Sequence, residues 1–293
     1  MQKLHLGAAQ CALDLGDGSE RAEYVNQDYI LHKLGRPHRA IGIMYTYYPH
    51  DKQWPQRISK ACKDMNITFQ WDYPYDDYFP FNADGQPWEQ MRDIRRHGQD
   101  VALTLTLDCS LSDDELREVA RMLRPYGRMT IRINHECAGT WFTHNKRFTY
   151  EQVGKFFARF SDIIHQEAPN VRTVFCAGFA QADGKLEKED EFAVAYRAAD
   201  VWSADCYLAL HYGWPYDVAE VGGGQYKADS VGMYYDMFRR TYERASSQFG
   251  CKPLVTAEFN TDGDVTGPRH QGESVIRGTS RLEHTECNRA DAI

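Results

Sequence analysis

Short segments in which apolar and polar residues alternate recur along the chain and predict β-strands. The segment 129–134 is typical, because alternation places its apolar residues on one face and Arg132 and Asn134 on the other. Continued by two residues, the same pattern puts Glu136 beside Arg132 at the strand exit. Further segments of this kind lie at 4–9, 39–45, 66–71, 101–107, 171–177, 201–207 and 253–258.

Between these segments the apolar residues recur at helical spacing. Ser112 and Glu115 predict a capping box at the start of one helix, and Thr149 predicts the N-cap of another. The segment 186–199 is rich in acidic residues, which indicates a helix with a solvent-exposed face. Other helices are predicted at 54–65, 87–97 and 227–249.

Strands and helices alternate without a linker or an internal repeat, which predicts an α/β fold with a parallel sheet and helices outside. For 293 residues we expect one domain, residues 1–293, with the architecture of a (β/α)8 TIM barrel. A doubly wound open sheet is the second interpretation, although the G-x-G-x-x-G motif that often accompanies it is missing.

The order of the predicted strands leaves the closure of this barrel incomplete. If 40–45, 66–71 and 101–107 are the first three strands, then 253–258 is the seventh, and nothing after it has the pattern of an eighth. The eighth strand is therefore atypical or missing. We expect residues 3–9 to fill the vacant position by pairing in parallel with the first strand, since unpaired strand edges are costly.

Composition excludes several classes of function. The net charge is −8 without a basic stripe, so nucleic acid is not an expected partner. No apolar run is long enough to span a membrane, and no export signal is visible. The protein is therefore expected to be cytoplasmic as it stands, or secreted if the sequence was trimmed. Eight cysteines without a C-x-x-C pair indicate reduced core residues rather than a metal ribbon.

Candidate chemistry collects at the carboxyl ends of the strands, where barrel enzymes carry their active sites. Glu136 and Glu258 end strands that are three positions apart, and such strands face each other across the mouth of an eight-stranded barrel. Two carboxyl groups across an aromatic-lined mouth are what glycoside hydrolysis requires. The polar residues at strand ends are Asp72, Asp108, Glu136, Asp205, Tyr207 and Glu258.

Three segments resemble glycoside hydrolase family 26. The run R-I-N-H-E-C-A-G-T-W-F at 132–142 resembles the fourth-strand motif of that family, R-x-x-H-E-x-x-G-x-W-F. Residues 200–207 are similar to its sixth-strand pattern, and residues 252–259 to its seventh. The family belongs to clan A, which consists of retaining (β/α)8 enzymes acting on β-mannans, β-1,3-xylans or β-glucans. The resemblance implies an endo-acting hydrolase of β-linked polysaccharide that needs no cofactor or metal.

The resemblance also implies a role for each matching residue. Glu136 is the implied acid/base and Glu258 the implied nucleophile, which Tyr207 would hydrogen-bond and Arg132 would keep ionised. His135 would lie near the bound sugar, although simple alternation points it away, so a bulge or twist is expected at the strand end. Asp205 is a supporting residue. The residues assigned to contact with the carbohydrate are Trp141, Phe142, Trp71, Asp72, Tyr45 and Trp214.

Other interpretations remain open. Glu136 could be an ion-pair partner of Arg132, and Trp141 could belong to the core. A non-catalytic carbohydrate-binding barrel would keep the same cleft. A metal-dependent barrel hydrolase would use His135, His144 and His211, but no H-x-H or H-E-x-x-H spacing occurs.

Overall fold

The computed structural model describes residues 26–35, 38–51, 53, 79–81, 85–139, 147–181, 183–208 and 231–261. Its strands are β1 Ala40–Tyr47, β2 Phe79–Pro80, β3 Asp100–Leu107, β4 Met129–Ile133, β5 Val171–Phe179, β6 Val201–Leu208, β7 Leu254–Val255 and β8 Phe259–Thr261. Its α-helices are α1 Gln27–Leu34, α2 Gln86–Arg96, α3 Asp113–Leu123, α4 Tyr150–Glu167, α5 Ala193–Ala198 and α6 Val231–Phe249. None of these helices is long and apolar enough to cross a membrane.

The described residues fall into two compact units. The first contains those up to Cys176 together with Ala198–Asp200, and the second contains Ala177–Arg197 and those from Val201 onward. In the first unit the strands pair in parallel in the order β2-β1-β3-β4-β5. In the second unit β6 pairs in parallel with β7 and with β8. The assignment of residues 1–293 to a single domain stays a prediction.

The predicted fold class is confirmed, because strands and helices alternate and the strands pair in parallel as in a (β/α)8 barrel. The predicted order of strands is wrong at one point. β1 pairs directly with β3 along eight residues, from Ala40 opposite Asp100 to Tyr47 opposite Leu107. The two strands are therefore direct neighbours, whereas the predicted order placed a strand between them.

β2 instead pairs with the other edge of β1, and its two residues had not been predicted as a strand. The pattern of 66–71 indicated strand propensity only. Strand propensity does not determine which strands are neighbours in the sheet. The segments 3–9 and 66–71 lie outside the described residues, so closure of the barrel from the N-terminal side stays a prediction.

The helices of the first unit bury the faces that the sequence predicts. The predicted capping box of Ser112 with Glu115 is formed on α3, and the predicted N-cap Thr149 on α4 forms a capping box with Gln152. Leu116, Val119, Ala120 and Leu123 of α3 are fully buried. On α4 the Phe157 ring packs edge-on against Phe175 of β5 at 4.8 Å between centroids. Burial of these apolar faces, rather than helix propensity, supplies most of the stability of such helices.

The helix predicted at 186–199 is shorter and less exposed than expected. Only Ala193–Ala198 is helical, and Lys188 before it has a positive φ of 50°. Asp190 and Glu191 are exposed, whereas one acidic residue makes a tertiary contact. Glu189 is 6% exposed and pairs with Arg244 of α6, with 2.8 Å between Oε1 and Nη2. The exposed acidic face is therefore confirmed for Asp190 and Glu191, and Glu189 departs from it because it is buried against the Arg244 cation of α6.

Two further assignments concern the interior. Trp202, expected to be core, is fully buried and its indole N–H donates to the carbonyl oxygen of Tyr196 at 2.8 Å. Cys109, Cys137 and Cys176 are free thiols, as predicted. Cys251 is exposed and disulfide-bonded, which corrects the expectation of a reduced core residue at that position.

A hydrogen-bonded carboxylate at the start of β6 gives the first unit a pH-dependent stability. Asp200 Oδ2 accepts hydrogen bonds from the backbone N–H of Thr173 at 2.8 Å and lies 2.9 Å from His165 Nε2. Burial alone raises the pKa of Asp200, but the hydrogen bonds from His165 and Thr173 outweigh it and hold the pKa below the ordinary 3.8.

We therefore expect Asp200→Asn to flatten the acid limb of the stability curve. The folded pKa is depressed, so the contribution of Asp200 is fully present above its unfolded pKa and is lost as the pH falls through the folded value. Thermal unfolding from pH 6 to pH 2.5 should show the melting temperature of the wild type falling more steeply below about pH 4 than that of the variant. Parallel curves would contradict the assignment.

Candidate active site

The chain turns sharply where β4 ends. The strand stops at Ile133, and Asn134 and Glu136 both have positive φ, of 60° and 42°. Strand alternation therefore holds up to Ile133 and does not extend to Glu136, which corrects the expectation that Asn134 and Glu136 continue the face of Arg132. Simple alternation would point His135 away from Glu136, so a role for His135 beside Glu136 requires a change of direction at this point. A ring nitrogen of His135 and a carboxylate oxygen of Glu136 lie within 4.8 Å of one another.

The groups at this strand exit are buried. His135 is 2% exposed, Glu136 6% and Arg132 6%. The Arg132 Nε–H donates to Thr104 Oγ1 of β3 at 3.2 Å, at a position where the two residues are register partners. A carboxyl group and a guanidinium held in the interior by a parallel sheet are costly unless they are paired or functional. Their burial marks the β4 exit as a candidate site.

The turn is fastened to the elements on both sides of it. On one side the Asn134 N–H donates to the Leu105 carbonyl of β3 at 3.0 Å, and on the other the Cys137 N–H donates to the Cys176 carbonyl of β5 at 3.0 Å. Within the turn the Gly139 N–H donates to the Glu136 carbonyl at 2.7 Å. Because its backbone is bonded to both neighbouring strands, the turn holds Glu136 in a fixed position.

An ion pair between a buried carboxylate and a partly exposed arginine anchors the chain beyond this turn to the end of β3. Asp108 is 1% exposed, and its Oδ2 lies 2.9 Å from Nη1 of Arg147. The Asp108 Oδ1 accepts hydrogen bonds from the Ser110 backbone N–H at 3.0 Å and from its hydroxyl at 2.7 Å. The residue that directly follows β3 therefore holds the segment leading into α4.

We expect Arg147→Met to destabilise the protein by about 1–2 kcal/mol, because it removes a partly exposed cation from the buried Asp108 carboxylate, which keeps its hydrogen bonds from Ser110. Urea unfolding monitored by fluorescence gives the free energy of unfolding. The matched control is the double variant with Asp108→Asn, which removes the orphaned charge and should recover at least half of the loss. Equal stabilities of the single and double variants would show that the charge pair is not the cause.

In the second unit a change of register distinguishes the segment that carries Glu258. Trp202 and Ser203 pair with Leu254 and Val255, whereas Cys206 pairs with Phe259. Residues 204–205 of β6 therefore lie opposite three residues, 256–258, of the paired segment. This mismatch is a β-bulge at 256–258. The strand predicted at 253–258 is accordingly corrected. Only Leu254–Val255 is β7, and Glu258 lies in the bulge just before β8.

The bulge brings Glu258 beside Asp205. Asp205 is fully buried, Glu258 is partly buried, and a carboxylate oxygen of each lies within 4.8 Å of the other. Bulges commonly redirect a side chain next to an active site. His135, Glu136, Asp205 and Glu258 all carry atoms that can ligate metal ions, so metal analysis belongs to any functional test.

The structure corrects one predicted contact with carbohydrate. Tyr45 is fully buried, and its hydroxyl donates to the side-chain oxygen of Gln90 on α2. Tyr45 therefore packs against a helix and is not exposed to a ligand. The side chain of Tyr207 is outside the described part of the structure, although its backbone pairs with Asn260. The remaining candidates outside the described residues, whose roles stay predictions, are Trp71, Asp72, Trp141, Phe142, Trp214, His144 and His211.

Reasoning from the sequence missed the role of Asn134, whose side chain bonds to the neighbouring strand. Its Oδ1 accepts a hydrogen bond from the backbone N–H of Leu107 at 2.8 Å. One signal was available, because asparagine is enriched among residues with positive φ and among side chains that bond nearby backbone. An asparagine two residues before a candidate catalytic glutamate could therefore have been recognised as a turn residue.

No protein-family model matches the sequence, and no curated protein matches it. Among solved structures, the chain is similar to the catalytic domain of the Bacillus sp. JAMB-750 GH26 endo-β-1,4-mannanase. The identity is 11%, the TM-score 0.48, and the match covers 92% of this chain and 72% of that one.

Two other solved structures illustrate the range of similar proteins. The β-glucanase SdGluc5_26A of Saccharophagus degradans has 12% identity and a TM-score of 0.46, covering 93% of this chain and 75% of that chain. The Thermotoga maritima α-L-arabinofuranosidase has 14% identity and a TM-score of 0.44, covering 84% of this chain. This chain spans 52% of the arabinofuranosidase. The similar structures are glycoside hydrolases of several families, at low sequence identity.

Proposed function

We propose that the protein is a retaining glycoside hydrolase in which Glu136 is the acid/base and Glu258 the nucleophile. The observation that carries the proposal is the β4 exit, where a buried glutamate, a buried histidine and a buried arginine occupy the R-x-x-H-E motif. The placement of Glu258 in a bulge beside Asp205 supports the second role. Membership of family 26 is part of the proposal.

The reaction would proceed by two displacements. In the first, a carboxylate oxygen of Glu258 bonds to the anomeric carbon while the glycosidic bond breaks, and Glu136 gives its proton to the departing oxygen. In the second, Glu136 takes a proton from water, whose oxygen bonds to the anomeric carbon as the ester to Glu258 breaks. Both carboxyl groups return to their starting states, and the product keeps the configuration of the substrate.

The substrate class proposed is β-linked polysaccharide, namely β-mannan, β-xylan or β-glucan, with internal cleavage of the chain. The support comes from the motif and from the abundance of aromatic residues, which make up 13% of the chain and suit stacking on sugar rings. His135 would contact the sugar bound at the point of cleavage. Arg132 would keep the nucleophile ionised, because a nearby cation favours the charged form of a carboxyl group.

The proposal is tested by measuring reducing-sugar release from a panel of β-mannan, β-1,3-xylan, β-1,4-xylan and β-glucan. Proton NMR during hydrolysis identifies the anomer that is released first, and the β-anomer is expected. Binding to a polysaccharide without release of sugar would indicate a carbohydrate-binding barrel. Activity that disappears with chelator and returns with a metal ion would indicate a metal-dependent hydrolase.

A further inference from the structure

We propose that Asn134 is a positioning residue for Glu136, acting through the hydrogen bond that its side chain accepts from β3. This inference rests on the proposed role of Glu136 as the acid/base. The residues that carry it belong to the first unit and lie where β4 ends.

In a parallel ladder that continues, the backbone N–H of a residue donates to a carbonyl oxygen of the neighbouring strand. The carbonyl oxygen of the same residue accepts from the N–H that lies two residues further along that neighbouring strand. Asn134 makes the first of these bonds, from its N–H to the Leu105 carbonyl at 3.0 Å. The second would run from the Leu107 N–H to the Asn134 main-chain carbonyl. The Leu107 N–H donates instead to the side-chain oxygen Asn134 Oδ1, at 2.8 Å. The side chain thus takes the bond that a continued strand would give to the backbone.

This exchange releases the backbone from the strand direction without leaving a buried donor unpaired. Leu107 is fully buried, so an unbonded N–H there would cost a substantial desolvation penalty. With the N–H satisfied, Asn134 adopts a φ of 60° and the chain turns, which leads to Glu136 at a φ of 42°. Such conformations in non-glycine residues persist only when the surrounding structure imposes them.

Loss of the side-chain acceptor would favour the alternative path of the chain. The Leu107 N–H would recover its bond if the main-chain carbonyl of residue 134 rotated back into the ladder. That rotation would extend β4 by a residue and displace Glu136 from its turn. A displacement of about 1 Å at a catalytic group is enough to reduce a rate roughly 100-fold.

The second polar atom of the side chain contributes less. Asn134 Nδ2 lies 3.5 Å from Cys109 Sγ, which is a long hydrogen bond to a weak acceptor. Burial raises the pKa of the Cys109 thiol to about 12, so it remains neutral and adds no charge to the site. The Oδ1 acceptor is therefore the atom on which the positioning depends.

The test compares three variants by kcat/KM, which reports the glycosylation step, on two aryl glycosides of the sugar that the wild type cleaves. Asn134→Ala and Asn134→Gly both remove the acceptor, but glycine keeps a positive φ inexpensive. Asn134→Asp retains an oxygen at the same position. The alanine and glycine variants should lose roughly 10- to 100-fold in kcat/KM on the phenyl glycoside, whose leaving group needs protonation. On the 2,4-dinitrophenyl glycoside the loss in kcat/KM should be less than about threefold. Asp should recover most of the loss.

Asn134→Asp also provides a readout in the pH profile. A carboxylate introduced two residues before Glu136 in the chain disfavours the ionised form of the acid, so the alkaline limb of kcat/KM should move to higher pH. Any of three results would overturn the proposal. The first is an equal loss of kcat/KM on the two glycosides, and the second is full activity of the glycine variant. The third is an aspartate variant whose activity does not recover and whose alkaline limb does not move. If alanine and glycine variants fail to fold, the aspartate limb alone decides.

A matched control separates positioning from general stability. Asn170 Nδ2 donates to the Gly127 carbonyl at 2.6 Å at the opposite end of β4 and β5. Asn170→Ala should lower the melting temperature and leave the ratio of the two substrates unchanged. A changed ratio in this variant would also overturn the proposal. A wild type inactive on every substrate would instead refute the proposed function, which is a separate result.

Discussion

Glu258→Ala is expected to reduce turnover on every substrate by roughly 10⁴-fold or more, because no group remains to bond to the anomeric carbon. The loss should not depend on the leaving group, since the nucleophile is needed whether or not the departing oxygen requires a proton. Initial rates on one polysaccharide and on phenyl and dinitrophenyl glycosides measure this. Circular dichroism shows whether the variant is folded.

The neighbouring carboxylate supplies the matched control for this experiment. Asp205 and Glu258 carry oxygens within 4.8 Å of each other, so either could be suspected of attacking the sugar. Azide should restore activity to Glu258→Ala by taking the place of the nucleophile, and the glycosyl azide formed should have inverted configuration. Asp205→Ala should not be restored. Rescue of the Asp205 variant alone would transfer the nucleophile to that residue.

The second large effect is expected for Glu136→Ala, and it should depend on the leaving group. Removal of a general acid typically costs about 10²- to 10⁴-fold when the departing oxygen must be protonated. On a dinitrophenyl glycoside the first step needs no proton, so kcat/KM should fall less than about tenfold. Rates on the two glycosides and on the polysaccharide decide the point.

Removal of Glu136 should also change the pH dependence. The alkaline limb of kcat/KM reports loss of the proton from the general acid, so it should disappear in Glu136→Ala. Azide should accelerate the second step and give a glycosyl azide of retained configuration, because it attacks in place of water. Equal losses on the two glycosides, with the alkaline limb intact, would show that Glu136 is not the acid.

Local sequence pattern predicted the elements of this protein well. The capping box at Ser112 and the N-cap at Thr149 form as expected, because caps and apolar periodicity are determined within a few residues. Alternation likewise identified β3, β4, β5 and β6. The candidate glutamates were found because each ends an apolar segment and the two segments are three positions apart in the predicted order of strands.

The sequence could not determine which strand neighbours which. The direct pairing of β1 with β3 replaces the expected order, because register and adjacency depend on residues distant in the chain. The sequence also could not show that Tyr45 is buried and bonded to Gln90, since a tyrosine suits a core and a sugar-binding surface equally.

By itself, then, the sequence determined the alternation of strands and helices and the identity of the acidic residues at strand exits, since both follow from local pattern. The direction of those side chains was decided only by tertiary structure. A side-chain bond from Asn134 to β3 turns the chain at Glu136, and an extra residue opposite β6 places Glu258 in a bulge. Strand alternation ends where the hydrogen-bond ladder between two strands is interrupted. The interruption depends on the neighbouring strand, which is distant in the sequence.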